Sequence, residues 1–235
     1  MKSLKVSIMD RNFFIVFIVN FLFIAHSLAS QDTDSVEGRN FGCSAGLGVT
    51  LVRASDIVDY VNSISSSATR VDDFGVAAEF FGTVELRLNP TVGLKLEYAY
   101  LLKSHTVSGS GYPDYIVSYG VHMPTLIVQY LFFGKGYGLK LGGGFGYHIA
   151  AITQDYSSLG NIEYTSHGIG IKAEAEANTE FDEHLYGVIT GDIRDDIMSE
   201  IKDSVGKPLI IRNTGKHAGM NFFSLGVKFG MIYYF

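Results

Sequence analysis

From Lys172 to Asn178 every second residue is polar or ionisable: Lys172, Glu174, Glu176 and Asn178 hold one parity, Ile169, Ile171, Ala173, Ala175 and Ala177 the other. Successive side chains of a strand point to opposite faces, so three charges share one face with nothing apolar between them. A soluble core has no place for such a face. The same alternation puts Glu79, Glu85, Arg87, Lys95, Glu97, Lys140, Glu180, Asp192, Arg194 and Lys228 on the polar faces of other candidate strands, giving seven acids against six bases in all. Near balance of sign points to mutual ion pairing in a shared interior, and a narrow ion or solute pathway through that interior is the alternative.

These charges need strands to hold them, and the chain end shows the design. From Phe223 to Phe235, Phe223, Leu225, Val227, Phe229, Met231, Tyr233 and Phe235 alternate with Ser224, Gly226, Lys228, Gly230, Ile232 and Tyr234, a ribbon with one wholly apolar side. Phe41 to Leu51 repeats the pattern, and further strands are predicted over about 76–88, 92–102, 115–133, 137–149, 169–178 and 185–194. In the stretch around 115–133 the parity breaks. Val117, Tyr119 and Val121 are read as outward before Pro124, and Leu126, Val128, Tyr130 and Phe132 after it, which predicts a bulge at the proline.

Short connections at Pro90, Lys135 and Asp182 alternate with long polar ones over Arg53–Asp73, Lys103–Asp114, Thr153–Ser166 and Asp195–Lys216. The last of these is predicted to hold a short surface helix between Ile197 and Val205. Eight amphipathic strands joined alternately by tight turns and long loops predict an all-β fold, an eight-stranded antiparallel up-and-down transmembrane β-barrel over residues 41–235. For strands in a membrane, only a closed barrel leaves no sheet edge unsatisfied.

Lys2, Lys5 and Arg11 precede the apolar run Phe13 to Ala25, and Ser27-Leu28-Ala29 follows it. This predicts a secretory signal peptide over 1–29, cleaved after Ala29, with a polar periplasmic lead over 30–40. Its loss takes the net charge from −6 to −8, because Lys2, Lys5 and Arg11 leave with Asp10, and an acidic chain argues against a nucleic-acid partner. The 27 glycines suit tight barrel curvature, and the 14 Tyr and 17 Phe take the girdle role in a chain without tryptophan. Cys43 is the only cysteine, so neither a disulfide nor a metal knuckle can form within the chain.

The whole of residues 40 to 235 resembles the small outer-membrane β-barrel superfamily that includes the OmpA transmembrane domain, OmpX and the opacity-like proteins. The stretches that carry the resemblance are Pro124 to Tyr130, Gly142 to Tyr147, and the chain end, where Lys228, Gly230, Tyr233 and Phe235 resemble the C-terminal assembly signal of such barrels. The resemblance implies export to the outer membrane of a diderm bacterium, with outer-membrane lipid and the barrel assembly machinery as partners. Five histidines, His105, His122, His148, His167 and His217, fall toward the extracellular half, but no ligand spacing assigns a metal or any other cofactor. Some small barrels modify lipid A. Here Ser166-His167 is the only adjacent pair, with Glu163 or Asp192 to orient the histidine, and the two side chains take opposite parities, so no catalytic residue is assigned. The expected function is a structural or surface-interaction, adhesin-like role. Apolar loop residues Ile57, Val58, Tyr60, Val61, Ile197, Met198, Ile201 and Leu209 would contact a host or matrix ligand.

Overall fold

The computed structural model describes residues 40–65, 70–109, 112–134, 136–156 and 160–235. The stretch predicted as signal peptide, 1–29, and all but residue 40 of that predicted as periplasmic lead lie outside the described residues. The chain forms β1 (Phe41–Arg53), α1 (Ser55–Ile64), β2 (Phe74–Asn89), β3 (Val92–Gly109), β4 (Tyr112–Gly134), β5 (Tyr137–Tyr156), β6 (Gly160–Glu180), β7 (Leu185–Met198), the two-residue β8 (Lys202–Asp203) and β9 (Phe222–Tyr234). The eight long strands pair antiparallel with their sequence neighbours, and β1 pairs with β9 to close the ring.

The register fixes the shape of that ring. Starting at Phe41 and stepping across each pairing gives Leu86, Leu94, Val128, Gly143, Ala173, Ile193 and Leu225, and the next step lands on Leu51, ten residues up the starting strand. With a rise of ~3.3 Å per residue and strands ~4.8 Å apart, that stagger tilts the strands by about 40°. Eight strands at such a tilt enclose an interior just wide enough for side chains.

All eight row members above face outward, and the outer surface is a continuous apolar belt. On β5 it runs from Leu139 through Leu141, Phe145 and Tyr147 to Ile149, roughly 25 Å along the barrel axis, which matches a hydrocarbon core. Rings edge the belt. At the tight-turn end, Phe41 meets Phe235 at 5.5 Å between centroids, Tyr233 meets Phe235 at 5.0 Å, and His184 stacks on Tyr233 at 5.4 Å. At the other end the Tyr98 hydroxyl and His122 Nδ1 share a hydrogen bond of 2.6 Å, and Tyr100 stacks on the same imidazole at 4.6 Å.

Four features depart from the sequence reading. First, β4 carries no bulge at Pro124: its register with β3 runs unbroken from Val92↔Tyr130 to Val107↔Tyr115. Val117, Tyr119 and Val121 are buried inside, so parity never switches; the inner face changes from polar to apolar instead. Second, the helix is α1, in the first long connection. Residues 197–205 complete β7 and form β8. Third, residues 103–109, 112–114, 153–156 and 160–166 are strand rather than loop, so the β3–β4 and β5–β6 hairpins rise well above the belt. Fourth, Glu180 is exposed at the rim, its backbone N–H bonded to the Gly136 carbonyl, and takes no part in the interior.

Candidate functional site

The inward face of the barrel is built in layers. Inward glycines make the room for them: a Cβ at Gly48 would fall 2.6 Å from the Lys228 side chain, one at Gly226 2.8 Å from Asp192, and one at Gly142 3.1 Å from Glu174. Small residues on some strands let long ionisable ones from others cross the lumen.

Glu97 lies at the centre of the charged layers. It meets Lys172 at 2.6 Å, Lys228 at 2.8 Å, Arg194 at 3.6 Å and Lys95 at 3.9 Å. Lys95 also reaches Glu174 at 2.8 Å and Glu176 at 2.7 Å, Lys140 pairs with Glu176 at 2.7 Å and with Glu85, and Lys172 lies 2.8 Å from Glu174. Asp192 meets Lys228 at 3.0 Å and Lys172 at 3.6 Å, from adjoining strands. Of the lumen residues singled out from sequence, Glu85, Lys95, Glu97, Lys140, Lys172, Glu174, Glu176, Asp192, Arg194 and Lys228 all lie in this one network, and all are buried. Arg87 does not: it sits half-exposed at the tight-turn mouth, its guanidinium 4.5 Å from the centroid of the Phe133 ring.

The network also holds Glu79, which alternation had placed on the polar face, and the neutral Thr50 and Gln129, which it had not singled out. Glu79 accepts a hydrogen bond from the Thr50 hydroxyl at 2.8 Å and faces Arg194 at 3.4 Å; Gln129 donates to Glu174 at 3.1 Å. Near it, His148, counted by sequence among rim residues, is fully buried, bonded through Nδ1 to Asp196 and through Nε2 to the Thr125 hydroxyl at 3.2 Å. The signal was present, since Thr50, Gln129, His148 and Asp196 hold inward parity, but neutral residues and a strand end hid it. The five histidines do not gather. His122 and His167 face outward, His148 is inside, His217 is on an exposed loop, and among the described residues no three metal-ligating side chains converge. Ser166 is buried and donates to the Ser199 carbonyl at 2.7 Å, whereas His167 is exposed on the opposite face.

Below the charges, Tyr186, Val188, Ile232 and Tyr234 form an apolar floor. The pocket at that mouth, lined by Arg87, Gln129, Phe133, Lys140 and Tyr234 among others, leaves ≈ 20 Å³, room for about one water. Above them the lumen is a hydrophobic core. Leu101, Val117, Tyr119, Val121, Met123 and Ile152 from the wall pack with Ile57, Tyr60 and Val61 of α1 and with Ile201, Leu209, Ile211, Ala218 and Met220 of the β7–β9 connection. The apolar loop residues read as ligand contacts therefore point down into the barrel; of that set only Ile197 is open, at 72%. Polar contacts tie the lid together: Asp56 accepts from the Gly219 N–H at 2.9 Å, Ser63 Oγ from the Arg212 N–H at 3.3 Å, and Gln154 Nε2 donates to the Tyr60 hydroxyl.

Chemically this arrangement neutralises and fills: among the described residues it offers no open cleft, and the one row of hydroxyl, imidazole and carboxylate, Thr125–His148–Asp196, is sealed inside the wall with all three side chains buried. No family model matches the chain, and no curated protein matches it. Among solved structures it is similar to neisserial surface protein A, NspA (12% identity, TM-score 0.51, covering 83% of this chain and 97% of that one). It is also similar to a major outer membrane protein from Thermus thermophilus (11%, 0.52, 83% and 99%) and to the outer membrane protein OprG from Pseudomonas aeruginosa (14%, 0.50, 84% and 96%). At such identities the likeness is one of fold: the chain is an eight-stranded antiparallel transmembrane β-barrel, the fold of these outer-membrane proteins.

Proposed function

We propose that the protein is a non-conducting outer-membrane barrel that serves as a rigid post for an interaction surface on its loop side. One observation carries this reading: among the described residues the lumen cross-section is occupied from floor to lid by buried side chains, charged in the middle and apolar above, with no polar path between the mouths. A pore needs water along its axis, and the lid of α1 and the β7–β9 connection excludes it. The belt takes outer-membrane lipid. Tyr233 and Phe235 face outward at the tight-turn rim, where the end of β9 presents Lys228, Gly230, Tyr233 and Phe235 to the barrel assembly machinery before Lys228 is buried. The partner of the loop side is a ligand outside the cell, on a host surface or matrix.

The test has two arms. The purified protein in a planar bilayer should give no conductance steps across either polarity; discrete steps would overturn the closed-barrel reading. Cells displaying the protein should bind a matrix-coated surface, and substitution of outward-facing loop residues alone should abolish that binding. Deleting whole loops is the wrong variant, because it would remove the lid with the surface.

A further inference from the structure

The β7–β9 connection is folded, not slack. Its backbone forms a small three-stranded sheet: the Leu209 N–H bonds to the Ile201 carbonyl at 2.9 Å, the Ala218 N–H to the Leu209 carbonyl at 2.8 Å, and the Ile201 N–H to the Ala218 carbonyl at 2.9 Å. Bridges set Lys202 opposite Pro208 and Ile210 opposite His217. Gly206 and Gly215, with φ of 86° and 68°, make its two turns, a backbone region that L side chains rarely adopt. Alternation then gives the sheet two faces. Ile201, Leu209, Ile211, Ala218 and Met220 point down as the lid of the barrel, and Lys202, Ile210, Arg212 and His217 point up, with Lys207 and Lys216 exposed beside the turns.

The upper face is cationic on an acidic protein. Residues 204–235 contain no Asp or Glu at all. Asp203 is used by its own turn, accepting from the N–H groups of Val205 and Lys207, and Glu200 is shared between His217 at 3.0 Å and Lys202 at 3.4 Å. Among the described residues Lys207, Arg212 and Lys216 make no ion pair, so three cations on a rigid support face solvent uncompensated.

We infer that this face of the β7–β9 sheet binds a polyanionic polysaccharide, sulfated or phosphorylated, presented from outside the cell. The inference rests on the surface-interaction reading above and names its ligand class. The charges sit on the side of the sheet away from the barrel mouth, and so away from the lipid headgroups flanking the belt. The upper face carries no Phe, Tyr or Trp, and its one imidazole, His217, is held by Glu200 at 3.0 Å, so it lacks the stacking platform that single-stranded nucleic acid uses and the large aromatic anchors that dominate protein interfaces. What remains is charge on a folded support, which suits a flexible anionic chain with repeating sites.

The test uses the full mature protein in lipid nanodiscs with dextran sulfate as probe and neutral dextran as control. Dextran sulfate should bind, neutral dextran should not, and affinity should fall by about tenfold or more between ~0.05 M and ~0.3 M salt. The triple variant Lys207→Glu, Arg212→Glu, Lys216→Glu should lose at least about tenfold, because all three side chains are solvent-exposed and none packs in the lid. Retained heat-modifiable migration on gels would show that it still folds. Three results would each overturn the inference: equal binding by the triple variant, no binding of dextran sulfate by the parent, or tighter binding of DNA or of a phosphorylated glycolipid headgroup. If any of these occurs while the bilayer stays silent and displayed cells still adhere, the ligand class fails and the closed-post reading stands.

Discussion

Glu97 shows how much of the interior hangs on single atoms. Four cations lie within 3.9 Å of its carboxylate, and none can reach water, so the loss is far larger than for a surface pair. Glu97→Gln should lower the unfolding free energy by about 3–5 kcal/mol, the usual size when one partner of a buried ion pair is removed. Urea unfolding of the refolded protein followed by circular dichroism measures it; a loss below about 1 kcal/mol would mean that water or rearrangement compensates the cations. The exposed Glu200 makes the opposite case. The His217 hydrogen bond, helped by Lys202, holds its carboxyl below the usual range. A depressed folded-state pKa means that the pairing is present above the ordinary glutamate range and is lost as pH falls through the depressed value. A carbon NMR titration should place the Glu200 midpoint below that of a free glutamate, and His217→Ala should raise it back. Parity made the eleven charged network residues, Glu79 included, legible in sequence because charge on a strand has nowhere else to go. His148 and Asp196 were not legible as a pair, since forty-eight residues separate them and only closure brings β5 within reach of β7 across β6.

At the scale of elements, α1 is the part that sequence periodicity misplaced. Ile57, Val58, Tyr60 and Val61 have the spacing of a helical stripe, yet they stand among serines and aspartates and read as loop. What makes them a helix is the place they pack: the apolar upper lumen of Leu101, Val121 and Met123. The same cause explains the misread proline. Pro124 lacks only an N–H, and β4 keeps its register while its inner residues pass from Thr125, in the polar layer, to Met123 and Val121 under the lid. Ile57→Ala should cost about 2–4 kcal/mol through the cavity it leaves, read as a lower urea midpoint. Replacing residues 55–64 by a Gly/Ser linker of equal length should destabilise more, yet still give no conductance steps, because the layer around Glu97 lies beneath. Steps in that variant would place the whole seal in the lid. The eight long strands and their tight turns, by contrast, were readable within the belt, because lipid forces alternation on each of them; their extensions above it, and β8, have no lipid to impose a pattern.

For the molecule as a whole, the wall is uneven in height, and the unevenness decides where function can sit. β1, β2, β7 and β9 stop within a few residues of the belt, at Arg53, Phe74, Met198 and Phe222, while the β3–β4 and β5–β6 hairpins continue to Gly109, Tyr112, Tyr156 and Gly160. Both long connections leave from the low wall and lean against the high one, as the Tyr60–Gln154 bond records. The cationic sheet is thus open on the low side and backed on the other. Truncating the β5–β6 hairpin beyond Gln154 and Ile162 should leave the fold intact, since Asp155 and Asn161 there are exposed and polar, while Gln154 and Tyr164, which touch the lid, are kept. Heat-modifiability on gels should be unchanged, and a barrel that no longer refolds would show that the tall wall is structural.

The seam between β1 and β9 carries its own error check. Gly46 pairs with Gly230 there, and the Phe81 ring lies over both, so that a Cβ on either would come within 2.7 or 2.8 Å of it. A slip of two residues would keep every apolar side chain in lipid and would satisfy the belt just as well, but it would change the stagger of ten, and with it the girth of the cylinder. It would also set Gly46 against Lys228 or Ile232, leaving the phenylalanine to collide with a side chain. Lipid reads only odd against even; the ring over two glycines reads the count itself, so a misclosed barrel is rejected from within.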